Sequence, residues 1–224
     1  MKPLIVANWK MNPQNLEEAK LLFDSVKKGV ENIKNIEVVI CPPFVYLSVL
    51  KPKIKGPSFA ISFGGQSCFW EESGAFTGEV SAKMLKELGC EYVILGHSER
   101  RKYLKETDEM INKKIKAVLS LGLKPILCIA NLTQLKKSLR GIKDKVIIAY
   151  EPVFAIGTGK PCTIEKAKKM RNLIKYPVVL YGGSVNSQNA TDYIKMAGFQ
   201  GLLVGGASLD PEEFIKLAKN VARA

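Results

Sequence analysis

Hydrophobic positions along this chain fall into short β-branched runs that alternate with longer amphipathic segments. The runs predict eight strands, at residues 4–9, 37–41, 59–63, 92–96, 124–129, 146–150, 178–181 and 201–204. Helical spacing is found at residues 16–31, 44–50, 79–88, 107–121, 132–139, 163–174, 187–196 and 211–221. Asp210 followed by Pro211 is typical of a helix start, and Gly89 and Gly122 stand where helices should stop.

This alternation is typical of an α/β fold with a parallel sheet. Eight strand–helix units within 224 residues indicate a closed (β/α)8 barrel, with a doubly wound open sheet as the alternative. There is no linker, low-complexity segment or internal repeat, so a single domain spanning residues 1–224 is expected.

Composition narrows the class of protein. No apolar run approaches the length of a membrane span, so no membrane partner is expected. The first eight residues lack the features of a signal peptide and fit a first strand. The five cysteines form no CxxC pair, which indicates neither a metal site nor a disulfide framework and fits reduced thiols in the cytoplasm.

The chain is strongly basic, with a formal net charge of +13, which favours anionic partners. However, its lysines are often interleaved with acids, as at 83–87 and 212–216, which is typical of solvated helix faces. We therefore expect a small phosphorylated substrate and no nucleic acid partner.

Candidate chemistry follows the strands, because functional groups in a parallel barrel gather at the carboxyl ends of the strands. Lys10 follows the first strand, His97 the fourth and Glu151 the sixth. His97 is the only histidine, and a structural role is the alternative for it. It enters a short helical turn whose backbone N–H groups would disfavour its protonated form.

Glycines mark two further features of the same rim. Glu151 is followed by Pro152 and a loop containing Gly157 and Gly159, a pattern typical of an active-site lid, with an ordinary surface turn as the alternative. Glycine pairs follow the last two strands, at 182–183 and 205–206, where such barrels commonly bind phosphate.

Six motifs in consistent order resemble the triosephosphate isomerase family. They are Asn8-x-Lys10 and residues 73–79, 96–101, 150–159, 181–184 and 203–208. The resemblance implies a TIM barrel that interconverts dihydroxyacetone phosphate and D-glyceraldehyde 3-phosphate through an enediolate, without a metal or organic cofactor.

The resemblance also implies residue roles. Glu151 would be the general base, neutral His97 the electrophile and Lys10 the electrostatic stabiliser. Asn8 would add a hydrogen bond, and Glu99 would serve catalysis beside the lysine, with a buried salt-bridge role as its alternative. The substrate and its phosphate would be held by Asn8, Lys10, Gly157, Ser184, Gly205 and Gly206. The lid would comprise Pro152, Val153, Phe154, Ala155, Ile156, Gly157, Thr158, Gly159 and Lys160.

In the family, the loop at residues 64–78 reaches into a partner subunit, so a homodimer is expected, with a tetramer left open. Thr77 would support the lysine of the neighbouring site, and Phe76 would be covered by the partner. Glu79 and Arg100, with Glu106, match positions that form ion pairs near the interface.

Several residues depart from the family pattern. Phe154 replaces a tryptophan, and Asn131 replaces the glutamate that accepts its hydrogen bond. We interpret this as a coupled change, with the open lid held more by apolar packing. Pro161 predicts a trailing hinge that rotates less than the leading hinge at Val153. Gln200 replaces an acid, which predicts the loss of an ion pair.

The segments between the fifth, sixth and seventh strands are short for the family, which predicts trimmed outer helices there.

Two other functions are alternatives to an isomerase. One is another phosphate-binding barrel, such as a lyase or synthase with a Schiff-base lysine or a metal site. The other is a non-catalytic binding protein on the same scaffold.

Overall fold

The computed structural model describes residues 1–50, 61–157 and 159–224. Within these ranges, eight parallel strands close into a barrel in sequence order, with β8 paired to β1. The strands are β1 Leu4–Asn8, β2 Glu37–Cys41, β3 Ile61–Gly65, β4 Cys90–Leu95, β5 Lys124–Ile129, β6 Ile147–Tyr150, β7 Val179–Tyr181 and β8 Gly201–Val204. The predicted (β/α)8 barrel is confirmed, and the open sheet is excluded.

Helices surround the barrel. They are α1 Leu16–Val30, α2 Phe44–Leu50, α3 Ala82–Glu87, α4 Ser98–Tyr103, α5 Asp108–Ser120, α6 Leu132–Ser138, α7 Ile164–Leu173, α8 Ala190–Lys195 and α9 Pro211–Ala222. Two short 3-10 turns lie at Val153–Ala155 and Gly206–Leu209. Asp210 caps α9 as predicted, and Gly89 and Gly122 adopt the left-handed conformation just after α3 and α5.

Two predicted elements in the third unit are displaced. The predicted strand at 59–63 is found as β3 at Ile61–Gly65, while residues 59 and 60 lie outside the described residues. The predicted helix at 79–88 begins only at Ala82, because the Ser81 side chain accepts a hydrogen bond from the Met84 N–H and caps it there. The residues before this cap belong to the loop at 64–78 and its continuation.

The core has two parts. One lies inside the barrel, where side chains such as Val6, Ile94 and Ile126 are fully buried. The other lies between the strands and the helices. Where β8 meets β1, a Cβ added to Gly201 would stand 2.0 Å from the Leu4 carbonyl oxygen, so this close approach requires glycine.

The outer ring is uneven. α1 has 15 residues and α5 has 13, whereas α6 has 7 and α7 has 10. The trimming expected in the fifth and sixth units is relative to the family and stays a prediction. α3 and α8, with 6 residues each, are also short, which the sequence had not indicated. No helix in the described ranges is both long and apolar enough to cross a membrane.

Candidate active site

The carboxyl ends of β1, β4 and β6 bring their polar side chains to one cleft of about 350 Å³. Asn8, Lys10, His97 and Glu151 line it. The glycine turns after β7 and β8 and the lid also contribute to its lining. The convergence predicted from the strand order is therefore present in the structure.

Lys10 is fixed in an unusual backbone conformation, with φ at 57°. Its backbone N–H donates to Asn8 Oδ1 at 3.1 Å, and its Nζ lies 2.5 Å from Glu99 Oε1. Gln66 Nε2 donates to the Lys10 and Cys41 carbonyl oxygens at 2.8 and 2.9 Å. Gln66, which the sequence did not single out, therefore ties the strained residue to β2.

His97 follows β4 and is the N-cap of α4. Its Nδ1 accepts a hydrogen bond from the Glu99 N–H at 3.3 Å. The proton of a neutral imidazole must then lie on Nε2, which stands 3.1 Å from Glu151 Oε1. Both side chains are almost completely buried, with 6% of His97 and 3% of Glu151 exposed.

The Glu151 carboxylate has two further hydrogen-bond donors. Its Oε2 accepts from the Ser98 N–H at 3.1 Å, and the Cys128 thiol also donates to the carboxylate. Burial raises the pKa of Glu151, but the charge and hydrogen bond of His97, together with these donors, hold that pKa below its ordinary value. The carboxylate is therefore ionised at neutral pH.

The pKa of His97 is subject to opposing influences. Burial lowers this pKa. The Glu151 carboxylate raises it through its charge and its hydrogen bond, and Glu99 also raises it, whereas the charge of Lys10 lowers it. The net shift of the His97 pKa is upward. In this arrangement, Glu151 therefore opposes the preference for neutral His97 expected from the backbone N–H groups of α4.

Loop backbone from the lid and from the turns after β7 and β8 also borders the cleft. Ser184 has φ at 49°, and Gly157, on the lid, has φ at 66°. A Cβ added to Gly205 would lie 3.2 Å from Lys10 Cε, so the backbone of this turn passes directly beside the lysine. Gly206 opens the 3-10 turn that follows. The predicted phosphate residues therefore surround one end of the cleft.

The leading part of the lid is anchored through Ala155. Ala155 is fully buried, and its carbonyl oxygen accepts from Ser184 Oγ at 2.5 Å. Phe154, in contrast, is 60% exposed. Asn131 Oδ1 accepts from the Gln134 N–H at 3.0 Å, so this side chain caps α6. A hydrogen bond from Ser184 thus helps to hold the lid, and the expectation that apolar packing holds the open lid more strongly stays a prediction.

At the trailing end of the lid, the Cys162 N–H donates to the Tyr181 hydroxyl at 3.0 Å, and the Tyr193 hydroxyl donates to the Cys162 carbonyl at 2.5 Å. The smaller backbone rotation expected at Pro161 is a difference between the open and the closed lid, so it stays a prediction. Thr158 lies outside the described residues.

The predicted interface residues lie on or near one exposed loop. Phe76 is 42% exposed and its ring lies 4.6 Å from that of Phe69. Thr77 and Glu79 are exposed on the same loop. Arg100 Nε lies 2.6 Å from Glu106 Oε1, so the ion pair expected at these two positions is present within one chain.

No group of three or more histidine, cysteine or acidic residues that could hold a metal ion occurs among residues 1–50, 61–157 and 159–224.

The chain is similar to known proteins over nearly its whole length. The triosephosphate isomerase family model matches residues 3–221. A triosephosphate isomerase of Aquifex aeolicus is 44% identical over 97% of this chain and 98% of its own, and one of Dehalococcoides mccartyi is 43% identical over 99% and 98%. The crystal structure of triosephosphate isomerase from Bartonella henselae superposes with a TM-score of 0.86 at 31% identity, covering 100% of both chains. The chain belongs to the triosephosphate isomerase family.

Proposed function

We propose that this chain interconverts dihydroxyacetone phosphate and D-glyceraldehyde 3-phosphate through an enediolate, with Glu151 as the base and without a cofactor. The observation that supports this most directly is the pairing of an ionised, buried carboxylate with His97 Nε2 at 3.1 Å, in the cleft that also contains Lys10. Both groups reach the same space, so one substrate can contact both.

Glu151 moves a proton between the two carbons. In the resting structure, its carboxylate is directed at His97 and Ser98, and it must leave these donors to reach a substrate carbon. Losing them while the lid excludes water makes the carboxylate a stronger base. The lid, residues 152–160, thereby couples substrate enclosure to base strength.

His97 and Lys10 stabilise the negative charge that develops on the oxygens. When Glu151 turns toward the substrate, the main influence raising the pKa of His97 weakens, while burial and the Glu99 N–H at Nδ1 remain. His97 then acts as a neutral donor through Nε2. Lys10 supplies a positive charge that its ion pair with Glu99, at 2.5 Å, holds in place.

The phosphate is bound at the backbone side of the cleft. Gly157, Ser184, Gly205 and Gly206 line this end, where the absence of side chains at the glycines allows close approach. Asn8 and Lys10 complete the contacts. The net charge of +13 attracts the dianionic substrate.

We also propose a homodimer, built through the loop at residues 64–78, with a tetramer as an extension of it. Exposed Phe76, whose ring is tilted against that of Phe69, and exposed Thr77 form a surface that a second copy would cover. Barrel closure between β1 and β8 joins the two ends of the chain, which supports one domain over residues 1–224. All five cysteines are buried thiols, which supports a reducing, cytoplasmic location.

The experiment is isomerisation of glyceraldehyde 3-phosphate in D2O, followed by NMR of the product. If Glu151 removes one carbon-bound proton and returns another, product from the unaltered protein contains deuterium at the newly formed hydroxymethyl carbon. The Glu151→Gln variant should form neither product nor label. Rapid conversion without any deuterium would indicate direct hydride transfer between the carbons and contradict the proposal.

A further inference from the structure

Arg101 lies on α4, one helical turn after His97, and its guanidinium turns back toward the strand ends. Its Nε donates to the Gly96 carbonyl oxygen at 2.7 Å, and its Nη2 donates to the Cys128 carbonyl oxygen at 3.4 Å. Gly96 directly follows β4, and Cys128 is the last residue but one of β5. One side chain therefore joins the carboxyl ends of two neighbouring strands.

The guanidinium is itself held in place from the outer ring. Arg101 Nη1 lies 2.6 Å from Asp108 Oδ1, on α5, and Nη2 lies 3.4 Å from Ser138 Oγ, on α6. Ser138 Oγ donates to the same Asp108 oxygen at 2.9 Å. The Arg101 side chain is only 14% exposed. The planar guanidinium and its hydrogen-bond donors are thus held in one orientation by contacts with α5 and α6.

Both strand ends lead directly to reacting groups. Gly96 is the residue before His97, and a Cβ added to Gly96 would lie 3.0 Å from Arg101 Nη2, so the backbone there packs against the guanidinium. Cys128 donates its thiol hydrogen to the Glu151 carboxylate. Arg101 therefore bonds to the residue next to His97. It is also linked to Glu151 through Cys128, which accepts from Arg101 and donates to Glu151.

We infer that Arg101 is a positioning residue of this site, which sets the spacing of His97 and Glu151 by clamping the ends of β4 and β5. It contacts no substrate atom and acts only through Gly96 and Cys128. The inference rests on the proposed roles of His97 and Glu151. A lysine at this position would keep the charge but could not reach both carbonyls in one plane.

The chain contains a matched control at the other end of the barrel. Arg171 donates through Nε to the Gly198 carbonyl at 3.0 Å and through Nη1 to the Ile174 carbonyl at 3.1 Å. Its Nη2 donates to Gln200 Oε1 at 2.8 Å. These partners precede β7 and β8, far along the strands from the cleft. Arg171 thus makes a similar set of bonds with no connection to the reacting groups.

The test compares Arg101→Lys with Arg171→Lys, measuring kcat, KM, the pH profile of kcat/KM and the melting temperature. In Arg101→Lys, kcat should fall about 10²-fold, as expected for a displacement of roughly 1 Å. KM should change little, because the bonds of Arg101 run to Gly96, Cys128, Asp108 and Ser138 and not to the phosphate residues. The acid limb of kcat/KM should move to higher pH as the Cys128 thiol loses its alignment with Glu151. Arg171→Lys should lower the melting temperature comparably and leave kcat and the pH profile unchanged.

Asp108→Asn provides a second, milder variant, in which Arg101 is retained but its orienting partner is weakened. It should lower kcat by a smaller factor, and adding it to Arg101→Lys should cause no further loss, since both act through one network. If Arg101→Lys or Asp108→Asn keeps the kcat and pH profile of the unaltered protein while Glu151→Asp is strongly impaired, the inference about Arg101 is overturned. If Glu151→Asp is unimpaired in the same assay, the proposed function itself fails.

Discussion

The two ends of the barrel use the same kinds of charged and polar side chains in different ways. At the carboxyl end, Lys10 pairs with Glu99 and His97 with Glu151, and all four stand beside or line an open cleft. These groups contact one another but keep room for a further partner.

At the amino end, comparable groups use one another as partners. The Tyr92 hydroxyl donates to Glu37, and Lys124 Nζ donates to that hydroxyl at 3.1 Å. Burial raises the pKa of Tyr92, and Glu37 raises it further. At the same end of the barrel, Arg171 Nη2 donates to Gln200 Oε1 at 2.8 Å, so a charged guanidinium bonds to a neutral amide where the loss of an ion pair had been predicted.

The difference teaches that charge alone does not mark the active end. Polar groups that satisfy one another stabilise the fold, whereas groups left facing a cleft are available for substrate. Substitutions at the carboxyl end should therefore reduce rate, and substitutions within closed networks should reduce stability.

Lys10→Met should lower kcat/KM by about 10²–10³-fold, because it removes a fixed positive charge from beside the developing oxyanion. The measurement is steady-state kinetics on both substrates. Lys83→Met is the matched control, since Lys83 lies in an exposed ion pair, 3.6 Å from Glu72. Equal activity losses in the two variants would contradict the claim that charged groups at the cleft act on rate and other ion pairs do not.

Phe76→Glu should convert the proposed dimer to monomers and lower kcat by about 10²-fold, because Thr77 of the partner would no longer support Lys10. Light scattering after size-exclusion chromatography gives the mass. Leu173→Glu places the same charge on another exposed apolar residue, on α7, and should leave the mass unchanged. A monomeric unaltered protein with full activity would refute the interface.

Glu106→Gln tests a closed network near the carboxyl end. Glu106 Oε1 lies 2.5 Å from buried Lys114 Nζ and 2.6 Å from Arg100 Nε. Burial raises the pKa of Glu106, but these two cations hold it below the ordinary 4.5. We expect a loss of about 1–3 kcal/mol in the free energy of unfolding at pH 7, with kcat little affected.

The pH dependence of that stability has a defined sign. Because the pKa of Glu106 is lowered on folding, its contribution is present above pH 4.5 and is lost as the pH falls through the lowered pKa. Urea unfolding at several pH values should therefore show a steeper acid loss in the unaltered protein than in Glu106→Gln. Parallel curves would contradict this assignment.

Tyr92→Phe should have the smallest effect, a loss of about 1 kcal/mol in the free energy of unfolding, from the hydroxyl's bonds to Glu37 and Lys124. Activity should not change, because this network lies at the closed end. Thermal unfolding and kcat measured on the same sample check both statements. A large loss of kcat would mean that the two ends are coupled.

Much of the fold could be predicted because it depends on periodic signals. Strand alternation, the cap at Asp210 and the stops at Gly89 and Gly122 are local, and the strand order alone brings Lys10, His97 and Glu151 to one rim. The start of α3 was placed too early because the helical pattern extends through the Ser81 cap.

The rest could not be predicted because it depends on contacts between distant segments. Gln66 reaches Lys10 across 56 positions, and Arg101 reaches Ser138 across 37. No spacing in the sequence reveals such pairs. Likewise, the Cys128 thiol looked like an ordinary buried residue until the structure placed it beside Glu151.

The most direct test of the account is the kcat of the unaltered protein beside Glu151→Asp, with Glu212→Asp, an exposed residue of α9, as the control for the same change. Shortening Glu151 by one methylene keeps the charge but withdraws the carboxylate from the substrate carbon. We predict that kcat falls about 10²-fold or more in Glu151→Asp and is unchanged in Glu212→Asp. Equal kcat in all three proteins would contradict the assignment of Glu151 as the base.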